Sequence, residues 1–119
     1  MANPYGAPEI NVKDVETKRQ NGDQFVWLDV REPDEVAAVH IDDERTVLLP
    51  LSQLAQSQLD AIPAAMQDQA TEIIVFCHHG MRSAQVTAWL LQQGWSNVKS
   101  MAGGIDAWGH EVDATVGFY

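Results

Sequence analysis

The stretch IIVFCHHGMRS, Ile73 to Ser83, constrains this chain more than any other. The run EIIVF (Glu72–Phe76) is nearly continuous apolar sequence, which predicts a strand buried on both faces, as in the middle of a parallel sheet. A helix is predicted from about Arg82 to Gln93. Ala84, Ala88 and Leu91 mark one side of it, Val86, Trp89 and Leu90 the adjoining side, and Gly94 supplies the stop. Six residues, Cys77 to Arg82, are left to turn the chain from strand to helix. In an open α/β sheet, ligands bind beyond the carboxyl ends of the strands, where this loop and the only cysteine of the chain fall.

The rest of the chain repeats the alternation. Residues 1–8, with Pro4, Gly6 and Pro8, read as an irregular arm. A short extended piece is expected at Glu9–Val12, then a helix over residues 14–21 ended by Gly22. Phe25–Val30 (FVWLDV) reads as a second buried strand. The segment REPDEVAAV follows as a helix with Pro33 at its first position and Asp34 and Glu35 in its first turn. TVLLPL is a further strand stopped by Pro50. Ser52 is placed to cap a helix whose Leu51, Ala55, Leu59 and Ile62 keep helical spacing until Pro63. VKSM is a last short strand, GGIDAW turns into a short helix, and residues 109–119 read as an irregular tail. This pattern predicts one α/β domain over residues 1–119, with a mainly parallel sheet and right-handed crossovers.

Composition narrows the function. The 45% hydrophobic content suits a globular protein rather than a disordered one. No apolar run approaches the roughly 20 residues that span a bilayer, and the start MANPYGAPEI lacks the basic and apolar regions of a signal peptide. One cysteine forms no internal disulfide, so a cytoplasmic location is expected. Seventeen acidic residues against seven basic ones give a net charge of −10, which argues against nucleic acid or an anionic membrane as partner. A small anionic substrate remains compatible, because backbone N–H groups that touch it outweigh a distant field.

The loop itself points to a reactive thiol. A tight turn between strand and helix directs backbone N–H groups inward, and the start of the helix adds about half a positive charge. Gly80 permits a backbone conformation that other residues resist, and Arg82 adds a permanent cation. These groups favour Cys77 as thiolate, the nucleophilic form, and would stabilise an anionic adduct on its sulfur. Three other readings compete. Cys77 as a buried structural thiol is the bland one. Metal binding by Cys77, His78 and His79 needs His40 and His110 to complete the set from afar, and adjacent residues in one turn rarely converge on one ion, so no metal is expected. A cysteine phosphatase places five residues between Cys and Arg; here there are four, a tighter ring suited to a smaller group on sulfur. Bland roles are also expected elsewhere: Asp29 and Arg31 as a turn-stabilising pair, Trp89 as core, Gly103 and Gly104 as a turn.

Three stretches in order resemble the single-domain rhodaneses over about residues 8–113: WLDVREPDEV (Trp27–Val36), IIVFCHHGMRSAQVTAWLLQQGWSNV with its Cys-x-x-Gly-x-Arg-Ser loop, and MAGGIDAW. The resemblance implies the rhodanese-like fold, a five-stranded mostly parallel sheet flanked by helices on both faces. It implies a sulfurtransferase in which Cys77 becomes a persulfide and His78, His79, Gly80, Met81 and Arg82, with Ser83 at the helix start, surround the transferred sulfur. It implies a thiosulfate-like donor, a thiol (a protein thiol included) or cyanide as acceptor, and no cofactor. The chain departs from the family where Val39, Asp42 and Asp43 replace the usual Gly and Pro-Gly of Gly-His-Ile-Pro-Gly-Ala, so residues 42–44 are expected to take a different path. The rival from another class is a binding or regulatory module on the same fold.

Overall fold

The computed structural model describes residues 3–119; Met1 and Ala2 of the expected arm lie outside them. Five strands, β1 (Glu9–Ile10), β2 (Val26–Asp29), β3 (Thr46–Leu48), β4 (Ile73–Phe76) and β5 (Val98–Met101), alternate with five helices. These are α1 (Val12–Gln20), α2 (Pro33–Ala38), α3 (Leu51–Ser57), α4 (Met81–Gln92) and α5 (Gly104–Glu111). The strands form one parallel sheet in the order β1-β5-β4-β2-β3. β4 lies in the middle, pairing Ile73–Phe76 with Val26–Asp29 on one side and Ile73–Val75 with Val98–Ser100 on the other.

The strand alternation splits the core into two layers. Leu28, Val30, Ile73, Val75 and Cys77 face one side of the sheet, where Leu54 of α3 and Val86 and Leu90 of α4 cover them. Trp27, Ile74, Phe76 and Met101 face the other, under Val12 and Val15 of α1 and Ile105 and Trp108 of α5. Each such large side chain, fully buried, contributes about 1.5–3 kcal/mol, which is why β4 tolerates no polar residue. No helix among the described residues is long and apolar enough to cross a membrane.

The structure corrects four boundaries. α1 starts at Val12, two residues earlier than the apolar pattern suggests, because the Asn11 side chain caps it by accepting the Asp14 N–H at 2.8 Å. α3 ends at Ser57 rather than at Pro63. Gln58 takes a positive φ of 49°, and a 3-10 turn follows over Gln58–Ala61. Ser52 does not cap α3; Pro50 holds that position, and the Ser52 hydroxyl and N–H both donate to Glu32 at 2.6 and 3.2 Å. The Glu32 carboxylate thus serves the amino end of α3 from outside it, which spacing within α3 cannot reveal. Finally, residues 109–111 continue α5, and a 3-10 turn at Ala114–Val116 leads the tail back to Arg31, Glu35 and His78.

The acidic loop lies away from the strand ends that face Cys77. Thr46 pairs with Trp27, so residues 42–45 sit at the amino ends of β2 and β3. Asp43 there holds Arg45 in a two-oxygen pair at 3.0 and 3.1 Å, and Arg45 reaches the Asp23 carbonyl at 2.9 Å. Asp42–Glu44 therefore belong to the opposite edge of the sheet from the carboxyl end of β4.

Candidate active site

Cys77 follows the last residue of β4 and is 1% exposed. Its sulfur accepts the backbone N–H of Gly80 at 3.1 Å and of Ser83 at 3.4 Å, with the Ser83 hydroxyl 3.5 Å away. Among the described residues these are the N–H donors on the sulfur. Both belong to the amino end of α4, where unpaired N–H groups concentrate positive potential. Gly80 makes the approach possible: its φ of +107° is one that a side chain would strain, and a Cβ there would lie 3.1 Å from the Gly103 nitrogen. The Ser83 hydroxyl donates to the Gly80 carbonyl at 3.1 Å and pairs with the Ser100 hydroxyl of β5 at 2.8 Å, both serines being fully buried.

A second helix end holds the loop from the other side. The first-turn N–H groups of Ile105 and Asp106 in α5 donate to the carbonyls of Cys77 and His78 at 2.9 and 3.1 Å. Gly104, at φ +62°, packs so closely that a Cβ would collide with both carbonyl oxygens. The Gly-Gly pair is therefore a turn, as expected, and also the seat on which the cysteine loop rests. The backbone of His78 faces α5 with its carbonyl rather than turning its N–H to the sulfur.

Arg82 is committed to a partner. Its guanidinium makes two bonds of 2.7 Å to Glu35 of α2, which ties the start of α4 to α2. Glu35 also accepts the Glu32 N–H at 2.9 Å and the Tyr119 hydroxyl at 3.0 Å. The Arg82 guanidinium, chiefly, pulls the Glu35 pKa down to about 2, and Glu35 in turn raises that of Arg82. Of the two roles open to Arg82, orienting the loop or attracting a donor, the geometry favours orienting.

Asp29 and Arg31 form the anticipated pair. Arg31, fully buried, donates Nε and a terminal nitrogen to the two Asp29 oxygens at 3.0 and 2.8 Å. Its other terminal nitrogen reaches the Val39 carbonyl at 2.8 Å and the Tyr119 hydroxyl at 3.3 Å. Tyr119 therefore joins Asp29–Arg31 to Glu35–Arg82. Its ring also stacks on His78 at 3.9 Å between centroids, and His78 stacks on His79 at 3.9 Å. Burial, chiefly, lowers the His78 pKa below the usual histidine value. His79 is exposed, as is Met81 at the first position of α4.

The fold thus brings Cys77, Gly80 and Ser83 onto one sulfur, joins Arg82 to them through the backbone of α4, and leaves the side chains of His78, His79 and Met81 on the outer side. Sequence reasoning misses Glu35, Ser100 and Tyr119. Glu35 carried only the signal of an acid in a helix first turn; Ser100 and Tyr119, from distant segments, carried none.

Residues 11–111 match the family model of the rhodanese-like domain. The chain is 36% identical over 99 residues to the thiosulfate sulfurtransferase GlpE of Pseudomonas aeruginosa, covering 83% of this chain and 81% of that protein. It is 30% identical over 100 residues to a sulfurtransferase of Allochromatium vinosum, covering 84% and 86%. The human single-domain sulfurtransferase TSTD1 superposes with a TM-score of 0.70 at 25% identity, over 89% of this chain and 98% of that one.

Proposed function

The chain belongs to the rhodanese-like domain family and is a sulfurtransferase, and from that premise we propose that it moves a sulfane sulfur through a persulfide on Cys77. The observation that carries this reading is the Cys77 sulfur at the carboxyl end of β4, facing the Gly80 and Ser83 N–H groups at the start of α4.

The reaction proceeds in two halves. The Cys77 thiolate attacks the outer sulfur of thiosulfate or a similar donor; the S–S bond of the donor breaks and sulfite leaves with its electron pair. The terminal sulfur of the persulfide then carries the negative charge the thiolate brought. It is stabilised by the Gly80 and Ser83 N–H groups, already fixed by the bonds of the Ser83 hydroxyl to Gly80 and Ser100 and by the seat on α5, so little reorganisation is needed. Arg82, held by Glu35, keeps the first turn of α4 in place. A thiophilic acceptor, cyanide or a thiolate including one on a protein, attacks the terminal sulfur and leaves as thiocyanate or a new persulfide, restoring the Cys77 thiolate. Cys77 is the only cysteine in the sequence, so the acceptor comes from outside these residues. The expected locale is the cytoplasm.

Steady-state rates with thiosulfate and cyanide varied together are expected to give the parallel double-reciprocal lines of a ping-pong mechanism. Cys77→Ser is expected to fold as wild type and to lose turnover. Full activity in that variant would overturn the proposal.

A further inference from the structure

We propose that His78, His79 and Asp106 form a binding site for a borderline-soft divalent metal ion, such as Zn(II) or Co(II), at the outer face of the cysteine loop. One ligand atom from each of the three residues lies within 4.8 Å of those of the other two. Seen in sequence alone, two adjacent histidines lack a third ligand, and His40 and His110 are too far along the chain to be assumed. The fold supplies that ligand from a different element. Asp106 stands in the first turn of α5, and its carboxylate lies 3.8 Å from Nδ1 of His79. His110, one turn further along α5, stands 3.6 Å from the other carboxylate oxygen and lies outside the set of three.

Two features make the three residues a built set rather than a chance meeting on the surface. The backbones that carry them are fastened to one another: the Asp106 N–H donates to the His78 carbonyl at 3.1 Å, and Gly104 seats the turn directly against Cys77 and His78. The His78 ring is also backed by Tyr119, which stacks on it at 3.9 Å between centroids. The donor chemistry is two imidazoles and a carboxylate, which suits zinc-like ions and leaves a coordination position for water or another ligand. Ligand atoms around a tetrahedral zinc, each about 2.0–2.1 Å from the metal, stand roughly 3.3 Å apart. Closing the set to that spacing requires the His79 ring to swing off the stack toward Asp106. Its side chain is 66% exposed, so a change of rotamer meets little resistance.

This site uses neither the Cys77 sulfur nor the groups that bind it, so it stands or falls separately from the sulfur chemistry. The test uses the whole chain, without a histidine tag, in the Cys77→Ser form so that thiolate coordination is removed. Zn(II) is titrated by calorimetry and Co(II) by its visible ligand-field absorption. The expected result is one equivalent bound with a Kd below about 100 µM. His79→Ala and Asp106→Asn each weaken it at least about tenfold, and His40→Ala leaves it unchanged. Circular dichroism checks that the variants are folded, and His79→Ala, at an exposed position, carries the test if Asp106→Asn is not. The proposal is overturned by a Kd above about 1 mM in the Cys77→Ser protein, or by binding that neither variant weakens.

Discussion

Around the Cys77 sulfur, each contact comes from a residue with a second job. Ser83 gives its N–H to the sulfur while its hydroxyl bridges Gly80 and Ser100. Ser83→Ala keeps the N–H but removes the hydroxyl bridge that fixes the turn, so kcat is expected to fall about tenfold with the fold unchanged, less than the loss of a full oxyanion donor. A drop below threefold in stopped-flow turnover would show that this bridge does not position the amides. Glu35 makes a pH prediction. Its carboxyl has a pKa near 2 in the folded chain against an ordinary 4.5, so its contribution to stability is complete above about pH 4.5 and is lost as the pH falls toward 2. Urea midpoints measured across that window should fall with pH in wild type and less steeply in Glu35→Gln. Equal slopes would place the acid sensitivity elsewhere. Cys77, Gly80, Arg82 and Ser83 were legible in the sequence because they share one short loop. Glu35, Ser100 and Tyr119 were not, since no spacing rule links residue 35 or 119 to residue 82, and only the folded chain closes those distances.

Among the elements, β4 and α4 were the most legible, since a buried central strand and a helix covering it must be apolar in patterns that spacing reveals. α3 was not, because its apolar repeat continues to Ile62 while the backbone breaks at Gln58. A positive φ at glutamine costs energy that glycine avoids, so Gln58→Gly is expected to raise stability by about 1 kcal/mol, read as a higher urea midpoint at unchanged activity. A lower midpoint would mean that the glutamine side chain outweighs the strain. The junction of α5 with the cysteine loop gives the reverse case. Gly104→Ala puts a methyl group against the Cys77 and His78 carbonyls at a positive φ, and is expected to cost stability by about 2 kcal/mol or more and to depress turnover further than the unfolded fraction explains. The Gly-Gly pair was readable as a turn; its contact with the loop was not, because the two segments lie 26 residues apart in sequence (104 − 78).

On the scale of the whole molecule, a parallel sheet with a layer of helices on each face places the amino ends of α4 and α5 on opposite sides of one loop. The net charge of −10 surrounds that site with an unfavourable field for a dianionic donor, which the local amides must overcome. For thiosulfate, kcat/KM is therefore expected to rise several-fold as salt increases from about 0.01 to 0.1 M, where the Debye length shrinks from about 30 to about 10 Å. A fall over that range would mean that a local cation steers the donor instead. The overall architecture was legible because strand and helix patterns alternate along nearly the entire chain. The return of the tail to His78 and Glu35 was not, because residues 112–119 carry no periodic pattern. Whether Cys77 carries the sulfur in transit is read by intact-mass spectrometry of thiosulfate-treated protein. The expected result is a gain of one sulfur atom located on Cys77, its release as thiocyanate on adding cyanide, and no gain in Cys77→Ser. The absence of that adduct in wild type with every sulfane donor tried, or an equal gain in Cys77→Ser, would contradict it.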